Sequence, residues 1–205
     1  MKIICIGRNY LDHAAELGNT VPSEPMFFLK PDSSVLHKRH AFYIPNWTDE
    51  VHYEVEVVVK ILKLGKAIQT KYASRYYAEV GLGIDFTARD IQRKLKTAGH
   101  PWEKAKSFDG SAVVSEEFIS LDRLGKSIQN LQFDLSINGS KVQEGSTSDM
   151  IFKVDHLISY VSKFMTLKTG DLIFTGTPSG VGPVKSGDKI TGNLEGFQML
   201  NVNVK

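Results

Sequence analysis

Residues 52–62, HYEVEVVVKIL, are the clearest strand in the chain, and they constrain everything around them. Side chains of a strand alternate between faces. Tyr53, Val55, Val57 and Val59 share one face and require an apolar layer to cover them. Glu54, Glu56 and Val58 share the other, so two carboxylates sit roughly 7 Å apart at their Cα atoms on a strand that otherwise reads as buried. Two readings of that face stay open. It is a solvated acidic edge, since Glu is rarely buried unpaired, or it is a pair of hard-oxygen ligands for Mg²⁺, Mn²⁺ or Ca²⁺. Asp85 is the candidate third carboxylate. It ends the apolar run Val80–Ile84 and precedes a helical pattern beginning near Thr87, so a role as helix N-cap competes with ligation. His52 shares the face of Glu54 and Glu56 and is a weak extra ligand candidate.

The remaining elements are short. Strands are predicted over Lys2–Ile6, Met26–Lys30, Val80–Phe86 and Leu172–Thr175. Leu131–Ile137 and Lys141–Glu144 flank Asn138-Gly139, a strong hairpin signal. Lys189–Leu194 and Gln198–Val204 close the chain as a second hairpin. Helices are predicted over Tyr10–Leu17, Lys71–Glu79, Thr87–Ala98 and Asp155–Phe164. Strands outnumber scattered helices, which predicts an α+β fold dominated by β structure rather than a doubly wound sheet. A chain of 205 residues is long enough for one core, so residues 1–205 are expected to form a single domain with at most an appended lid.

Charge and cysteine content narrow the function classes. Lys and Arg number 25 against 23 Asp and Glu, so no electrostatic footprint for nucleic acid or an anionic membrane is expected. No apolar run approaches the ~18 residues of a membrane span. Cys5 is the single cysteine, which excludes an intramolecular disulfide framework and fits a reducing cytoplasm. Function has to come from a site.

Two further features bear on chemistry. His13 and Glu16 are three residues apart on a predicted helix and face the same way. They are either an exposed ion pair or an imidazole oriented by a carboxylate to act as a general base. The segment Thr175–Pro183, TGTPSGVGP, follows a strand but lacks the spacing of a P-loop, and Pro183 argues against a following helix. It is a glycine-rich turn, or a turn that offers backbone N–H groups and the Thr177 hydroxyl to an anion.

Taken in order, these segments resemble the fumarylacetoacetate hydrolase family over nearly the whole chain. Gly7-Arg8-Asn9-Tyr10 with His13 and Glu16 is similar to its lid-helix motif, and Phe28-Leu29-Lys30-Pro31 to its next strand. Glu54-x-Glu56 is similar to its first two metal ligands, and Asp85-Phe86-Thr87-Ala88-Arg89-Asp90-Ile91-Gln92 to the segment that supplies the third. Lys106-Ser107-Phe108 and Thr175-Gly176-Thr177-Pro178 complete the series. Gln143–Thr147 and Met150–Phe152 resemble the short acylpyruvases that also decarboxylate oxaloacetate. One departure is the absence of proline over Ser107–Val114.

The resemblance implies a β-roll of mixed sheets with short peripheral helices and an N-terminal lid helix over residues 9–18. It implies a homodimer and a Mg²⁺ or Mn²⁺ ion held by Glu54, Glu56 and Asp85. The substrate would be a small 2-oxo acid chelating that ion, with Arg89, Gln92 and Thr177 as its contacts. Lys106 would stabilise a pyruvate enolate, and His13 with Glu16 would activate water for acylpyruvate hydrolysis, with oxaloacetate decarboxylation through the same enolate. The rival enzyme reading is an isomerase or tautomerase of an unsaturated dioic acid on the same fold. The rival from another class is a metal-stabilised β module that binds partners without catalysis.

Overall fold

A computed structural model describes residues 1–12 and 22–205. The largest of its three sheets has seven strands. Six run in the order β2 (Met26–Lys30), β1 (Ile3–Gly7), β11 (Leu172–Phe174), β4 (Val55–Lys60), β5 (Glu79–Asp85) and β7 (Ala112–Val114), and β8 (Ile119–Ser120) adds to β5. β1 and β11 are parallel and the other neighbours antiparallel, so the sheet is mixed. A four-stranded antiparallel sheet takes β10 (Ser140–Ser146), β9 (Gln132–Ile137), β13 (Lys189–Leu194) and β14 (Phe197–Asn203) in that order. A third joins β12 (Gly182–Pro183), β3 (Val51–Tyr53) and β6 (Thr87–Ala88). Asn138 and Gly139 turn β9 into β10 with φ of 51° and 85°, as a two-residue hairpin with both central residues left-handed requires.

The alternation expected over residues 53–59 holds in the packing. Val55, Val57 and Val59 enter the main core with Ile4, Leu82, Ile84 and the helix Val154–Phe164, through Leu157, Ile158 and Val161. Val58, on the opposite face, packs in a smaller cluster with Ile3, Cys5, Leu172 and Phe174. Cys5 is a free, buried thiol.

The predicted single strand over residues 52–62 is two strands. The ladder breaks at Glu54, whose carbonyl accepts the Asp85 N–H at 2.9 Å, while the Val55 N–H donates to the side chain of Gln143 at 3.0 Å. β3 therefore joins one sheet and β4 another. Residues 70–76 are a 3₁₀ segment rather than an α-helix. The helix expected from Thr87 begins at Arg89, because Thr87 and Ala88 pair with His52 and Val51. No described helix is long and apolar enough to cross a membrane.

Candidate active site

The topology brings four strand ends to one place. β1 and β11 run parallel, so their C-terminal ends lie together. β4 is antiparallel to β11, which sets its first residues against the end of β11, and β5 is antiparallel to β4, which returns Asp85 beside Glu54. Glu54, Glu56 and Asp85 each offer a carboxylate oxygen within 4.8 Å of the others, and none of the three is more than 5% exposed. The acidic face is therefore buried and not a solvated edge. The capping role for Asp85 is excluded too: Ala88 stands at the N-cap of the helix Arg89–Ala98, with no side-chain cap.

Three buried carboxylates so close repel one another unless cations approach them. Lys106 Nζ lies 2.8 Å from Glu54 Oε2 and 2.8 Å from Asp85 Oδ2. Arg89 Nη2 lies 2.5 Å from Glu54 Oε1, which also accepts the Thr87 hydroxyl at 3.0 Å. Lys30, whose side chain is wholly buried, places Nζ 2.7 Å from Asp85 Oδ1. Its three N–H bonds, however, are directed to the Lys106 carbonyl, the Ser111 carbonyl and the Ser111 hydroxyl. Asp85 Oδ1 consequently feels the charge of Lys30 but accepts no aligned hydrogen bond. Burial works against the Lys106 ammonium, but the Asp85 and Glu54 charges outweigh it and hold its pKa above the ordinary lysine value.

Glu56 differs from its neighbours. Among the described residues it has no ion pair, and its Oε2 accepts the Gly176 N–H at 2.6 Å. Burial pushes its pKa well up, the Asp85 and Glu54 charges push it further, and the Gly176 bond and the Lys106 charge only partly oppose them. The anion offered to the glycine turn is thus one of the protein's own carboxylates. Gly176 has φ 101°, and a Cβ there would fall 2.7 Å from Asn9 Cβ, so only glycine brings that N–H to Glu56.

The donor set fits a divalent cation. All three ligand groups are hard carboxylates, they converge at coordination spacing, and one oxygen of Asp85 lacks a directed partner. His52 does not join them. Its Nε2 is 2.7 Å from Glu50 Oε1, and its Nδ1 accepts from Arg89 Nε at 3.4 Å.

The cavity over the carboxylates is also lined by Arg89, Gln92, Lys106 and Thr177, so four of the residues expected to act on substrate meet the three expected ligands. Arg89 Nη1 donates to Gln92 Oε1 at 2.6 Å, and Thr177 Oγ1 accepts from Gln143 Nε2 at 2.9 Å. Phe28 and Trp102 form an aromatic wall, with Lys106 Nζ 5.4 Å from the Phe28 ring centroid. The cavity volume is about 40 Å³. An apolar cleft of about 940 Å³, bordered by Leu29, Trp47 and Phe108, includes none of the carboxylates.

His13 and Glu16 lie outside the described residues. The segment expected to form a lid is anchored at its start: Asn9 and Tyr10 are buried, and the Asn9 side chain bonds the backbone of Phe152 and Thr175. Residues 13–18 lie outside the described residues. Two further groups shape the site. Lys30 stands in an apolar strand before a proline, and that apolar setting is the one local signal of its burial. Gln143 holds the Val55 N–H, the Thr177 hydroxyl and the Pro178 carbonyl together, and nothing local marks it.

Comparison with known proteins supports the same grouping. The chain is 43% identical to oxaloacetate tautomerase YcgM of Escherichia coli, over 97% of this chain and 90% of that protein. It is 45% identical to the mitochondrial oxaloacetate decarboxylase of Dictyostelium discoideum, over 96% and 89%. Its fold superposes on fumarylpyruvate hydrolase from Pseudomonas aeruginosa, crystallised with Mn²⁺ and pyruvate, with a TM-score of 0.92 at 34% identity, covering 100% of this chain and 89% of that one. With the C-terminal fumarylacetoacetate hydrolase profile matching residues 2–205, the chain belongs to the fumarylacetoacetate hydrolase family.

Proposed function

We propose that the chain is a divalent-metal-dependent enzyme that interconverts the keto and enol forms of a small 2-oxo acid, with oxaloacetate as its substrate. The observation that carries this reading is Lys106, a buried ammonium 2.8 Å from both Glu54 and Asp85, facing a cavity that Arg89, Gln92 and Thr177 also line. The relatives named for oxaloacetate chemistry, 43% and 45% identical over most of both chains, support the choice of substrate.

Bound by Glu54, Glu56 and Asp85, Mg²⁺ or Mn²⁺ supplies Lewis acidity toward the oxygens of a 2-oxo acid. The protein's own groups do the rest. Arg89 and Gln92 orient the 1-carboxylate, and Thr177, held by Gln143, donates to it. Lys106, a buried ammonium favoured by the Asp85 and Glu54 charges, is assigned the role of a cation. It stabilises the negative charge that develops on the 2-oxo oxygen as the C3 proton leaves. His13 with Glu16 is assigned as the proton carrier between C3 and the oxygen.

Acylpyruvate hydrolysis, with oxaloacetate decarboxylation, is the second reading. Both break the C3–C4 bond and pass through the pyruvate enolate, whereas tautomerisation breaks a C3–H bond and passes through the enolate of the intact acid. The likeness to a fumarylpyruvate hydrolase crystallised with Mn²⁺ and pyruvate favours it. One set of assays separates them. Decay of enol-oxaloacetate absorbance and pyruvate release from oxaloacetate and acetylpyruvate are measured with Mn²⁺ present and absent. Tautomerisation is expected to exceed pyruvate release by orders of magnitude. Acetylpyruvate cleavage faster than enol decay would replace the first reading with the second.

A further inference from the structure

Arg8 has a backbone that calls for explanation. It follows the last residue of β1 with φ 57°, the left-handed region that residues with a side chain seldom occupy. Its neighbour shows what enforces the turn. Asn9 is fully buried, its amide donates to the Phe152 and Thr175 carbonyls, and its Oδ1 accepts the Phe152 N–H. The chain has to swing from the sheet at Gly7 into that clamp within one residue. Glycine would make the swing without strain. An arginine stands there instead, among the residues that line the cavity over Glu54, Glu56 and Asp85.

One cation at this edge of the cavity has no acidic partner among the described residues. Arg89 and Lys106 are taken by Glu54 and Asp85, whereas Arg8 pairs with no carboxylate among the described residues. Lys96, on the helix Arg89–Ala98, borders the same cavity. Its side chain is exposed overall, yet partial desolvation, followed by the charges of Arg8 and Arg89, lowers the pKa of its ammonium. Strain concentrated at a cavity is a pointer to function.

We infer that Arg8 binds the second carboxylate of a dicarboxylic 2-oxo acid and selects dianionic over monoanionic substrates. The inference rests on the proposed function, which assigns the first carboxylate and the 2-oxo group to the triad side with Arg89 and Gln92. A guanidinium suits this task because its planar fork can hold a carboxylate through two hydrogen bonds.

The test measures affinity without enolisation, with CO₂ release followed alongside. Mn²⁺-loaded protein is titrated calorimetrically with 3,3-difluoro-oxaloacetate and with 3,3-difluoro-2-oxobutanoate, which carries a methyl group in place of the second carboxylate. Neither can enolise. Wild type is expected to prefer the dicarboxylate by about 10-fold or more, the scale of one charge-assisted hydrogen bond. In Arg8→Gln that preference should collapse toward one, and in Arg8→Lys, which keeps the charge but loses the fork, it should fall to an intermediate value. Equal affinities in wild type, or a preference retained by Arg8→Gln, would overturn the inference. A preference lost in Arg8→Gln by a protein that does not tautomerise oxaloacetate would sink the proposed reaction and leave the subsite standing. Failure of both ligands to bind would remove the inference and the substrate class together.

Discussion

Asp171, just before β11, and Glu56, in the neighbouring strand β4, are each no more than 2% exposed, yet their surroundings drive them in opposite directions. Asp171 precedes β11 and lies shallowly, beside Lys2, whose side chain is 29% exposed. Burial raises its pKa, but the Lys2 ammonium and the backbone N–H groups of Lys168 and Lys2 outweigh that and hold it low. Glu56 has one N–H and two carboxylate neighbours, and its pKa goes up. Burial alone therefore does not decide whether a carboxylate stays charged. Asp171 has the counter-charge and donors it needs in the fold itself, whereas Glu56 has no ion pair among the described residues.

The largest expected effect separates the two outright. Chelation with EDTA should reduce enol-oxaloacetate turnover to background, and Mg²⁺ or Mn²⁺ should restore it. Because the ion binds only the folded state, free Mn²⁺ at 100 times its Kd should also add about 2.7 kcal/mol of stability. Asp171→Asn should leave both responses intact. A melting temperature indifferent to Mn²⁺ would show that the triad holds no ion.

Next in size is Lys106→Met, which keeps most of the side-chain length and removes the charge. Turnover should fall roughly 10²-fold or more, the weight of one positioned electrostatic stabiliser. Mn²⁺ affinity, measured by titration, should hold or rise, since a competing cation has left Glu54 and Asp85. Weakened Mn²⁺ binding with unchanged turnover would reverse the assignment.

The smallest effect is one of pH. Asp171 has a folded pKa below its unfolded value of about 3.9. Its stabilisation is present above that value and is lost as the pH falls through the folded pKa. Asp171→Asn should cost about 1–3 kcal/mol near neutrality and flatten this acid limb. Glu56 has a folded pKa above its unfolded value of about 4.3, so metal-free protein should lose stability as the pH rises from there through the folded value. Mn²⁺ should remove that loss. Urea titrations from pH 3 to 8, with and without Mn²⁺, check both signs; parallel curves for the two forms would show that Glu56 does not face the ion.

Much of this was legible in the chain. The alternation over residues 53–59, the Asn138-Gly139 turn and the closing hairpin are local patterns, and local patterns survive folding. The convergence of Glu54, Glu56 and Asp85 was readable only as alternatives until the resemblance ordered the segments. What escaped depended on contacts between distant segments. The break at Glu54 is made by Asp85 and Gln143, 31 and 89 residues away, within a stretch whose own residues all favour a strand. Lys30 is buried because Ser111 and the Lys106 carbonyl await it, and Arg8 is turned by a clamp closed at Phe152 and Thr175.

The Gln143 side chain has a mechanical consequence. Rooted in β10 of the four-stranded sheet, it grips the first N–H of β4 in the seven-stranded sheet and the turn that carries Thr177. A latch of this kind couples the breathing of the two sheets. If the hairpin of β9 and β10 opens, the Val55 amide loses its acceptor, and the register of the adjacent carboxylates is freed with it. Deuterium uptake at that single amide would therefore keep time with excursions of a hairpin whose turn begins more than eighty residues further along the chain.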